Sequence, residues 1–321
     1  MKIEWVATLR DFVKKPNYDL IYEWEDIIAK KLNVQFVKMN PKFTRLLNKI
    51  CWFNLCKHKK VTFGFELSAY TKPRYLNNKN FIPCIIDFFV SPHEIKSFEK
   101  AYCNNPVVFI SSKEAFDYLV ENGCKLNIKH LPLSLSDIYK IDNSLENTKK
   151  EYDLVLMGRQ NTVLESFLKA YIERYPNFKY VYRKIIGDEF LYYTSDGIEL
   201  GNIKTRCQFL SLMKKAKCGL YSTPGIDGGE KRSKGFNQVT PRFLELIACG
   251  CHILARYKEN SDTNFYQLNK FSPSINTYEE FESLLNEKLN SPVDFNFYKS
   301  YLSQHYTSCR VESMQKFLNN I

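Results

Sequence analysis

The chain has 321 residues, of which 44% are hydrophobic, 15% aromatic and 25% charged. This length fits two domains of about 150 residues better than a single core, and the apolar content excludes a disordered chain. The net charge of +11 indicates an anionic partner, and the sequence shows neither a run long and apolar enough to span a membrane nor a secretory signal, so we expect a cytoplasmic protein.

The first half of the chain alternates strands and helices. Apolar spacing predicts helices in "YDLIYEWEDIIAKKL" and "PKFTRLLNKICWFNLCK", and "SSKEAFDYLVENGC" predicts a helix with a Ser N-cap at 111 or 112 and a stop at Gly123. Because strands and helices alternate, we expect a parallel sheet with right-handed crossovers. The runs predicted as strands are 2–9, 34–39, 61–67, 84–90 and 106–111.

The segment 41–60, "PKFTRLLNKICWFNLCKHKK", has two interpretations. Its apolar residues share one helical face as far as Phe53, but the next position on that face is the polar Asn54. Residues 30–80 hold twelve Lys and Arg against the single acid Glu66, and such a stripe attracts phosphates. The segment is therefore either an amphipathic helix lying on an anionic bilayer or a core helix with a solvated basic edge.

Two polar residues near the run at 84–90 are candidates for catalysis. Asp87 ends "CIID", and His93 follows in "DFFVSPHEIKSF". Either side chain could serve as a general base or contact a polar ligand. The competing interpretation is that both are ordinary surface residues.

A second alternating series follows a polar segment at 137–152, which we interpret as a linker. Strands are predicted at 152–158, in "KYVYRK" and at 218–223, with helices in "TVLESFLKAYIERYP", "CQFLSLMKKA" and "EEFESLLNEKL". We therefore predict an α/β protein of two Rossmann-like domains that face each other across a cleft. Open sheets of this kind bind ligands at the carboxyl ends of their strands, so the cleft is the expected site.

The segment 235–255, "GFNQVTPRFLELIACGCHILA", has the pattern of an anion site. Thr240 suits an N-cap and Pro241 a first helical residue, so we predict a helix from 241 to Gly250, followed by a buried strand. The glycine-rich loop 224–239 and the helix start would leave backbone N–H groups and a positive dipole end for a diphosphate. The cations expected to add charge here are Lys231, Arg232, Lys234 and Arg242.

Glu245 lies one turn into this otherwise apolar helix. A buried carboxylate without a partner is costly, so we expect a fixed donor beside it. The two hydroxyls of a ribose would satisfy both carboxylate oxygens. A salt bridge with Arg242 or another arginine is the alternative.

The order of these parts resembles the nucleotide-sugar-binding segment of GT-B glycosyltransferases, especially the bacterial "group 1" retaining enzymes. The stretch "NQVTPRFLE", followed by "ACG" and a strand, carries the resemblance, which covers about 105–321 well. In that family one glutamate lies near the donor sugar and a second, after seven intervening residues, binds the ribose, while backbone amides between them touch sugar and phosphate. Glu245 matches the second glutamate, and Asn237 stands at the first.

The resemblance also implies phosphate-binding residues near the start of the second domain. "DLVLMGRQN" is similar to the opening strand of the donor domain, whose Gly-Arg pair is here Gly158 and Arg159. The family often has a lysine five residues further on, where this chain has Leu164; Lys169, Arg183 or Lys184 could substitute for it. The expected donor-binding set is Gly158, Arg159, Lys184, Glu230, Gly235, Phe236, Asn237, Gln238, Val239, Thr240, Arg242 and Glu245, and the catalytic candidates are His93, Asp87 and Asn237.

The resemblance implies an N-terminal acceptor-binding domain at 1–140, a donor-binding domain at 150–292, and C-terminal helices at 293–321 that cross back to the first domain. It implies transfer of a hexose-like sugar, with retention, from a nucleotide-diphosphate sugar to a glycan or lipid-linked acceptor in bacterial surface polysaccharide biosynthesis. Contact with the inner face of the membrane would use residues 41–60.

No cofactor or metal is expected. The sequence has no Asp-x-Asp at a strand end, and Cys249, Cys251 and His252 fall on a helix end and a buried strand. Arg159, the helix dipole and lysines would instead meet the charge of the leaving diphosphate.

Two other functions fit parts of the sequence. The basic stripe with Trp52, Phe53 and Tyr70 could bind nucleic acid, although no reader motif accompanies it and we do not expect that partner. The second function is binding of a sugar nucleotide without catalysis. It is suggested by Asn237, which stands where the family has a glutamate.

Overall fold

The computed structural model describes residues 1–14, 16–50, 60–187 and 189–320, without the side chains of 16, 17, 49 and 50. These residues form two compact units. The first comprises Met1–Asp137, Arg232–Gln238 and His305–Ile321, and the second comprises Ile138–Lys231 and Val239–Gln304. The part of the predicted basic helix at 51–59, including Trp52, Phe53 and Asn54, lies outside the described residues.

The first unit contains a six-stranded parallel sheet in the order β2-β1-β3-β4-β5-β6. Each of the five runs predicted as strands overlaps one of the first five strands. Ser112 caps the helix predicted after it, accepting a hydrogen bond from Ala115 N at 3.2 Å, and Gly123 follows the helix end with a φ of +69°. The elements are β1 (Trp5–Thr8), α1 (Pro16–Leu32), β2 (Gln35–Lys38), α2 (Pro41–Ile50), β3 (Thr62–Ser68), β4 (Phe81–Asp87), α3 (Ile95–Tyr102), β5 (Val108–Ile110), α4 (Lys113–Glu121) and β6 (Ile128–His130).

The second unit contains a six-stranded mixed sheet in the order β10-β9-β8-β7-β11-β12. Four strands are parallel, whereas β9 runs antiparallel to both of its neighbours. The elements are α5 (Asn143–Glu146), β7 (Tyr152–Val155), α6 (Thr162–Arg174), β8 (Tyr180–Ile186), β9 (Glu189–Thr194), β10 (Glu199–Asn202), α7 (Arg206–Lys214), β11 (Ala216–Ser222), α8 (Pro241–Ala248), β12 (His252–Arg256), α9 (Ser261–Phe265), α10 (Tyr278–Asn290) and α11 (Phe295–Leu302).

The predicted pair of α/β sheets is confirmed, with three differences of detail. The antiparallel strands β9 and β10 were not predicted. The polar segment 137–152 is not a bare linker, because it contains α5, whose Leu145 is buried in the second unit. The chain returns to the first unit at His305, where α12 (Thr307–Asn319) packs on α1, and not at about 293.

Both sheets reverse their strand order beside their first strand, between β1 and β3 and between β7 and β11. Ligands of open α/β sheets bind at such a point, beyond the carboxyl ends of the strands. In the second unit this point is flanked by the turn after β7 and the loop after β11. No helix among the described residues is long and apolar enough to cross a membrane.

Candidate anion-binding site

The turn after β7 is built around Gly158 and Arg242. Gly158 has a φ of +74°, a conformation that favours glycine. The Arg242 guanidinium packs against it, with Nη2 3.0 Å from the position that a Cβ of residue 158 would occupy. Arg242 also donates to Met157 O and lies over the Phe209 ring, 4.8 Å from its centroid. Gly158 of the predicted Gly-Arg pair is therefore in contact with Arg242, another residue of the expected donor-binding set.

Glu245 holds Arg242 and a second arginine. Its Oε2 accepts from Arg242 Nε at 3.1 Å, and its Oε1 accepts from Arg206 Nη1 at 2.7 Å. Glu245 is only 4% exposed; burial alone would raise its pKa, but the two guanidinium charges outweigh burial and lower the pKa. Both oxygens have arginine partners, which is the alternative interpretation of Glu245.

Three backbone amides near the start of α8 have acceptors within the protein. The Asn237 amide donates to Glu114 Oε2 at 2.7 Å, the Val239 amide donates to the buried Asp262 carboxylate, and the Thr240 amide donates to Tyr221 Oη at 3.0 Å. Thr240 stands at the N-cap with Pro241 after it, as predicted, but its hydroxyl makes no capping bond. Protein acceptors thus occupy three of the amides that we expected to hold a diphosphate.

The loop after β11 supplies carboxylates that pair with cations near the turn. Glu230 forms an ion pair with Arg159. Asp227 accepts from both nitrogens of Arg256, at 2.7 and 2.8 Å, and from Asn161 Nδ2 at 2.8 Å. The predicted site residues Arg159 and Glu230 are therefore brought together, and the Arg159 side chain remains 66% exposed.

A concavity of about 670 Å³ opens between the turn at Gly158, α6 and β8. Three cations could substitute for the lysine that the family has at the position of Leu164. Two of them, Lys169 and Arg183, line this concavity together with Arg159. The Lys184 nitrogen instead lies 5.5 Å from the ring centroid of Tyr182 and 4.8 Å from that of Tyr193. The residues with ionisable or aromatic side chains in its lining are Arg159, Glu165, Lys169, Glu173, Tyr180, Tyr182 and Arg183.

The predicted donor-binding residues from 235 to 238 belong to the first unit. Phe236 packs edge-on against Phe88 and Tyr118, with centroid distances of 5.7 and 5.1 Å. Gln238 Nε2 donates to Asp87 Oδ1 at 3.0 Å, which joins one predicted donor residue to one predicted catalytic residue. The remaining member of this group, Gly235, has a φ of +91° and accepts from Asn237 Nδ2.

The catalytic candidate His93 is exposed in a 3-10 turn at Pro92–Glu94. Lys234, which we expected to add charge to the anion site, pairs with Glu94 in the first unit, and this hydrogen bond lowers the pKa of Glu94 to about 2. Local sequence patterns do not identify Glu114, Asp262 and Arg206 as partners of this segment, because each is distant from it along the chain.

The Cys249 and Cys251 thiols donate to backbone carbonyls, Cys249 to Leu210 O at 3.5 Å and Cys251 to Met213 O at 3.2 Å. His252 Nε2 lies 3.0 Å from Ser291 O. Within the part of the chain that the structure describes, no group of three His, Cys, Asp or Glu residues could hold a metal ion.

No protein-family model and no curated protein match the chain. Among solved structures it is similar to the glycotransferase of kitacinnamycin, with 10% identity, 98% of each chain covered and a TM-score of 0.46. It is also similar to the UDP-GlcNAc 2-epimerase from Methanocaldococcus jannaschii, with 12% identity over the whole of both chains and a TM-score of 0.48. Spinosyn forosaminyltransferase SpnP shares 7% identity over 99% of this chain and 100% of that one, with a TM-score of 0.38. Because these scores are low, the fold assignment depends on the strands described above and not on these likenesses.

Proposed function

We propose that the protein is a glycosyltransferase that binds a nucleotide-diphosphate sugar in its second unit and an acceptor in its first. The observation that carries this proposal is the turn at Gly158 and Arg159, which lies where open α/β sheets bind ligands. An exposed arginine there, beside a concavity lined by two more cations, suits a diphosphate.

The chemistry proposed for this site is electrostatic. Arg159 meets the charge that develops on the leaving diphosphate, and Glu245 acts through Arg242 to hold the turn at Gly158 in place. We propose retention and independence from metal ions, and these two features are supported by the resemblance of the segment "NQVTPRFLE".

Asp87 is the residue we propose to face the acceptor hydroxyl. It ends β4 at the carboxyl edge of the first sheet, it is half-buried, and Gln238 donates to one of its oxygens. A carboxylate held in this way could accept a proton or orient a hydroxyl group. Asn237 and the exposed His93 are weaker candidates, since the Asn237 side chain bonds within its own loop.

A glycan or lipid-linked acceptor of surface polysaccharide biosynthesis fits the resemblance. Peripheral contact with the inner face of the membrane is supported by α2, which exposes Phe43 and Leu46 beside Lys42 and Arg45.

A thermal-shift panel of UDP-, GDP-, ADP- and CMP-linked sugars tests the proposed function. We expect one diphosphate sugar to raise the melting temperature, and Arg159→Ala to weaken its binding by about tenfold or more. Arg174→Ala is the matched control, because Arg174 is an equally exposed arginine on α6 that pairs with Glu282.

The two rival functions give different results in the same set of experiments. The nucleic-acid-binding alternative would be favoured by two results together. The protein would shift nucleic acid in a gel in a salt-dependent way, and no nucleotide sugar would raise its melting temperature. Nucleotide-sugar binding without turnover over a broad acceptor panel would favour a protein without catalytic activity.

A further inference from the structure

The loop after β3 begins where the strand order of the first sheet reverses. β1 and β3 flank that point, and ligands of open α/β sheets bind beyond the carboxyl ends of such strands. Ser68, the last residue of β3, pairs in register with Asp87, and the Ala69 amide donates to Asp87 O at 3.3 Å. The chain therefore leaves the sheet beside Asp87, and the next residue is Tyr70.

A buried polar network holds the backbone of Tyr70. Its amide donates to Tyr102 Oη at 3.1 Å, and Tyr102 Oη donates in turn to Glu66 Oε2 at 2.7 Å. Arg74 donates to the other oxygen of Glu66. Each of these three partners is at most 9% exposed, so water competes little for their bonds. The start of the loop is therefore fixed in position.

The ring of Tyr70 is held by the same network and still reaches solvent. The Arg74 guanidinium lies 4.3 Å from its ring centroid and 4.9 Å from that of Tyr102. Because Arg74 is buried, the part of the Tyr70 ring that it contacts is turned towards the protein. Tyr70 is nevertheless 46% exposed. A ring that is already fixed loses little conformational entropy when a ligand stacks on it.

An aromatic ring at the same sheet edge as a carboxylate suits a sugar residue. The face of the ring is electron-rich, and a pyranose presents C–H bonds on its faces and hydroxyl groups around its edge. The Tyr70 ring can take a C–H face, while the Asp87 carboxylate accepts a hydrogen bond from a hydroxyl group. A nucleobase also stacks on tyrosine, but a carboxylate repels the phosphates of a nucleic acid. The pair therefore favours a sugar over a nucleic acid.

We propose that the terminal sugar residue of the acceptor stacks on Tyr70, so that the acceptor ends in a pyranose and is not a lipid without a sugar. This inference rests on the proposed function and names the chemical class of its acceptor. Tyr70 contacts the acceptor and determines specificity. Glu66, Arg74 and Tyr102 are positioning residues, because they act only by holding Tyr70.

NMR titration with the methyl pyranosides of glucose, galactose, mannose and N-acetylglucosamine, without nucleotide, tests this inference. We expect the wild-type protein to bind at least one of them, and Tyr70→Ala to weaken that binding by about fivefold or more. Tyr70→Phe keeps the ring and should change the affinity by about twofold at most. Tyr175→Ala is the matched control, because Tyr175 is a half-buried tyrosine at the end of α6 with Arg174 5.7 Å from its ring centroid. The melting temperature of Tyr70→Ala should stay within about 2 °C of wild type.

Three results would overturn the inference while the proposed function stands. They are no binding of any of the four pyranosides by the wild-type protein, unchanged affinity in Tyr70→Ala, and an equal loss in Tyr175→Ala. If Tyr70→Ala does not fold, Tyr70→Leu, which is apolar but has no aromatic face, should show the same loss, and an unchanged affinity would equally overturn the inference.

Two further results separate the ligand classes. Binding of single-stranded oligothymidylate that depends on Tyr70, with no pyranoside bound, would assign the ring to nucleobases and overturn the inference. A protein that binds a pyranoside through Tyr70 but is stabilised by no nucleotide sugar would contradict the proposed function, and with it the assignment of that sugar as an acceptor.

Discussion

At the scale of single residues, Gly158 meets two requirements at once. Its backbone has a positive φ, and the Arg242 guanidinium occupies the space next to its Cα. A side chain at this position would strain the backbone and also force the Arg242 guanidinium to shift. Glycine is therefore required here by geometry, independently of any ligand.

The substitution Gly158→Ala separates these effects when it is compared with Gly197→Ala. Gly197 also has a positive φ, of +88°, but no atom lies within 4 Å of the position its Cβ would take. Each substitution should lower the free energy of unfolding by about 1–2 kcal/mol through backbone strain. Only Gly158→Ala should also weaken nucleotide binding, by about tenfold, because it displaces Arg242. Equal affinities in the two variants, measured by calorimetry, would contradict this account.

Single residues also mark the limit of what the sequence could predict. The residue types Gly158, Arg159 and Glu245 pointed to one site, and the structure places them around one turn. The sequence could not decide whether Glu245 faces a ribose or an arginine, because its partner Arg206 lies 39 positions away. The amides near Thr240 looked free for the same reason, since their acceptors Tyr221 and Asp262 come from other elements.

At the scale of elements, Glu245 joins α7 to α8. Arg206 begins α7, Arg242 lies in the first turn of α8, and the Glu245 carboxylate binds both. Breaking a buried ion pair leaves uncompensated charge and typically costs about 3–5 kcal/mol. Substitution of Glu245 should therefore affect stability as well as binding.

We expect Glu245→Gln to lower the melting temperature by about 10 °C at pH 7. The folded-state pKa of Glu245 is lowered, so its contribution to stability is present above the ordinary value of 4.5 and is lost as the pH falls through the folded-state pKa. The difference between wild type and variant should accordingly shrink in acid.

The control for this substitution is Glu282→Gln. Glu282 pairs with Arg174, whose side chain is 63% exposed, and exposed ion pairs contribute about 1 kcal/mol or less. Calorimetric melting of both variants from pH 7 downwards would show the contrast. A Glu245→Gln variant as stable as Glu282→Gln would show that the two arginines do not depend on Glu245.

The helix α2 is the element on which the proposed membrane contact depends. Phe43 is 58% exposed and Leu46 51% exposed, whereas Leu47 is buried. Replacing Phe43 and Leu46 with serine should reduce sedimentation with vesicles that contain phosphatidylserine. Replacing Val120 and Ile138, which are comparably exposed, should leave it unchanged. Equal binding by both double variants would contradict a role for α2.

The antiparallel hairpin shows how an element can be overlooked when the prediction follows strand-helix alternation. The residues "EFLYYT" of β9 are rich in aromatic side chains, and the Asp196-Gly197 pair that follows is a common hairpin turn. These signals were present in the sequence. They broke the alternation of the neighbouring segments, and so β9 and β10 were overlooked although β8 was predicted.

At the scale of the whole molecule, alternation predicted both sheets because parallel strands need helical crossovers, and that constraint is visible in the order of the segments. Assignment of residues to units was harder to predict. Residues 232–238 belong to the first unit through Phe236, Asn237 and Gln238, although they lie within a segment whose flanks belong to the second. Such contacts depend on residues far apart in the chain, about which local patterns contain no information.

The most direct test of the central claim is a crystal structure of the protein with the nucleotide-diphosphate sugar that stabilises it most. The account predicts that the diphosphate lies at the carboxyl edge of the second sheet, within hydrogen-bond distance of Arg159 and beside Gly158. A diphosphate bound elsewhere, or no bound nucleotide at a saturating concentration, would contradict it.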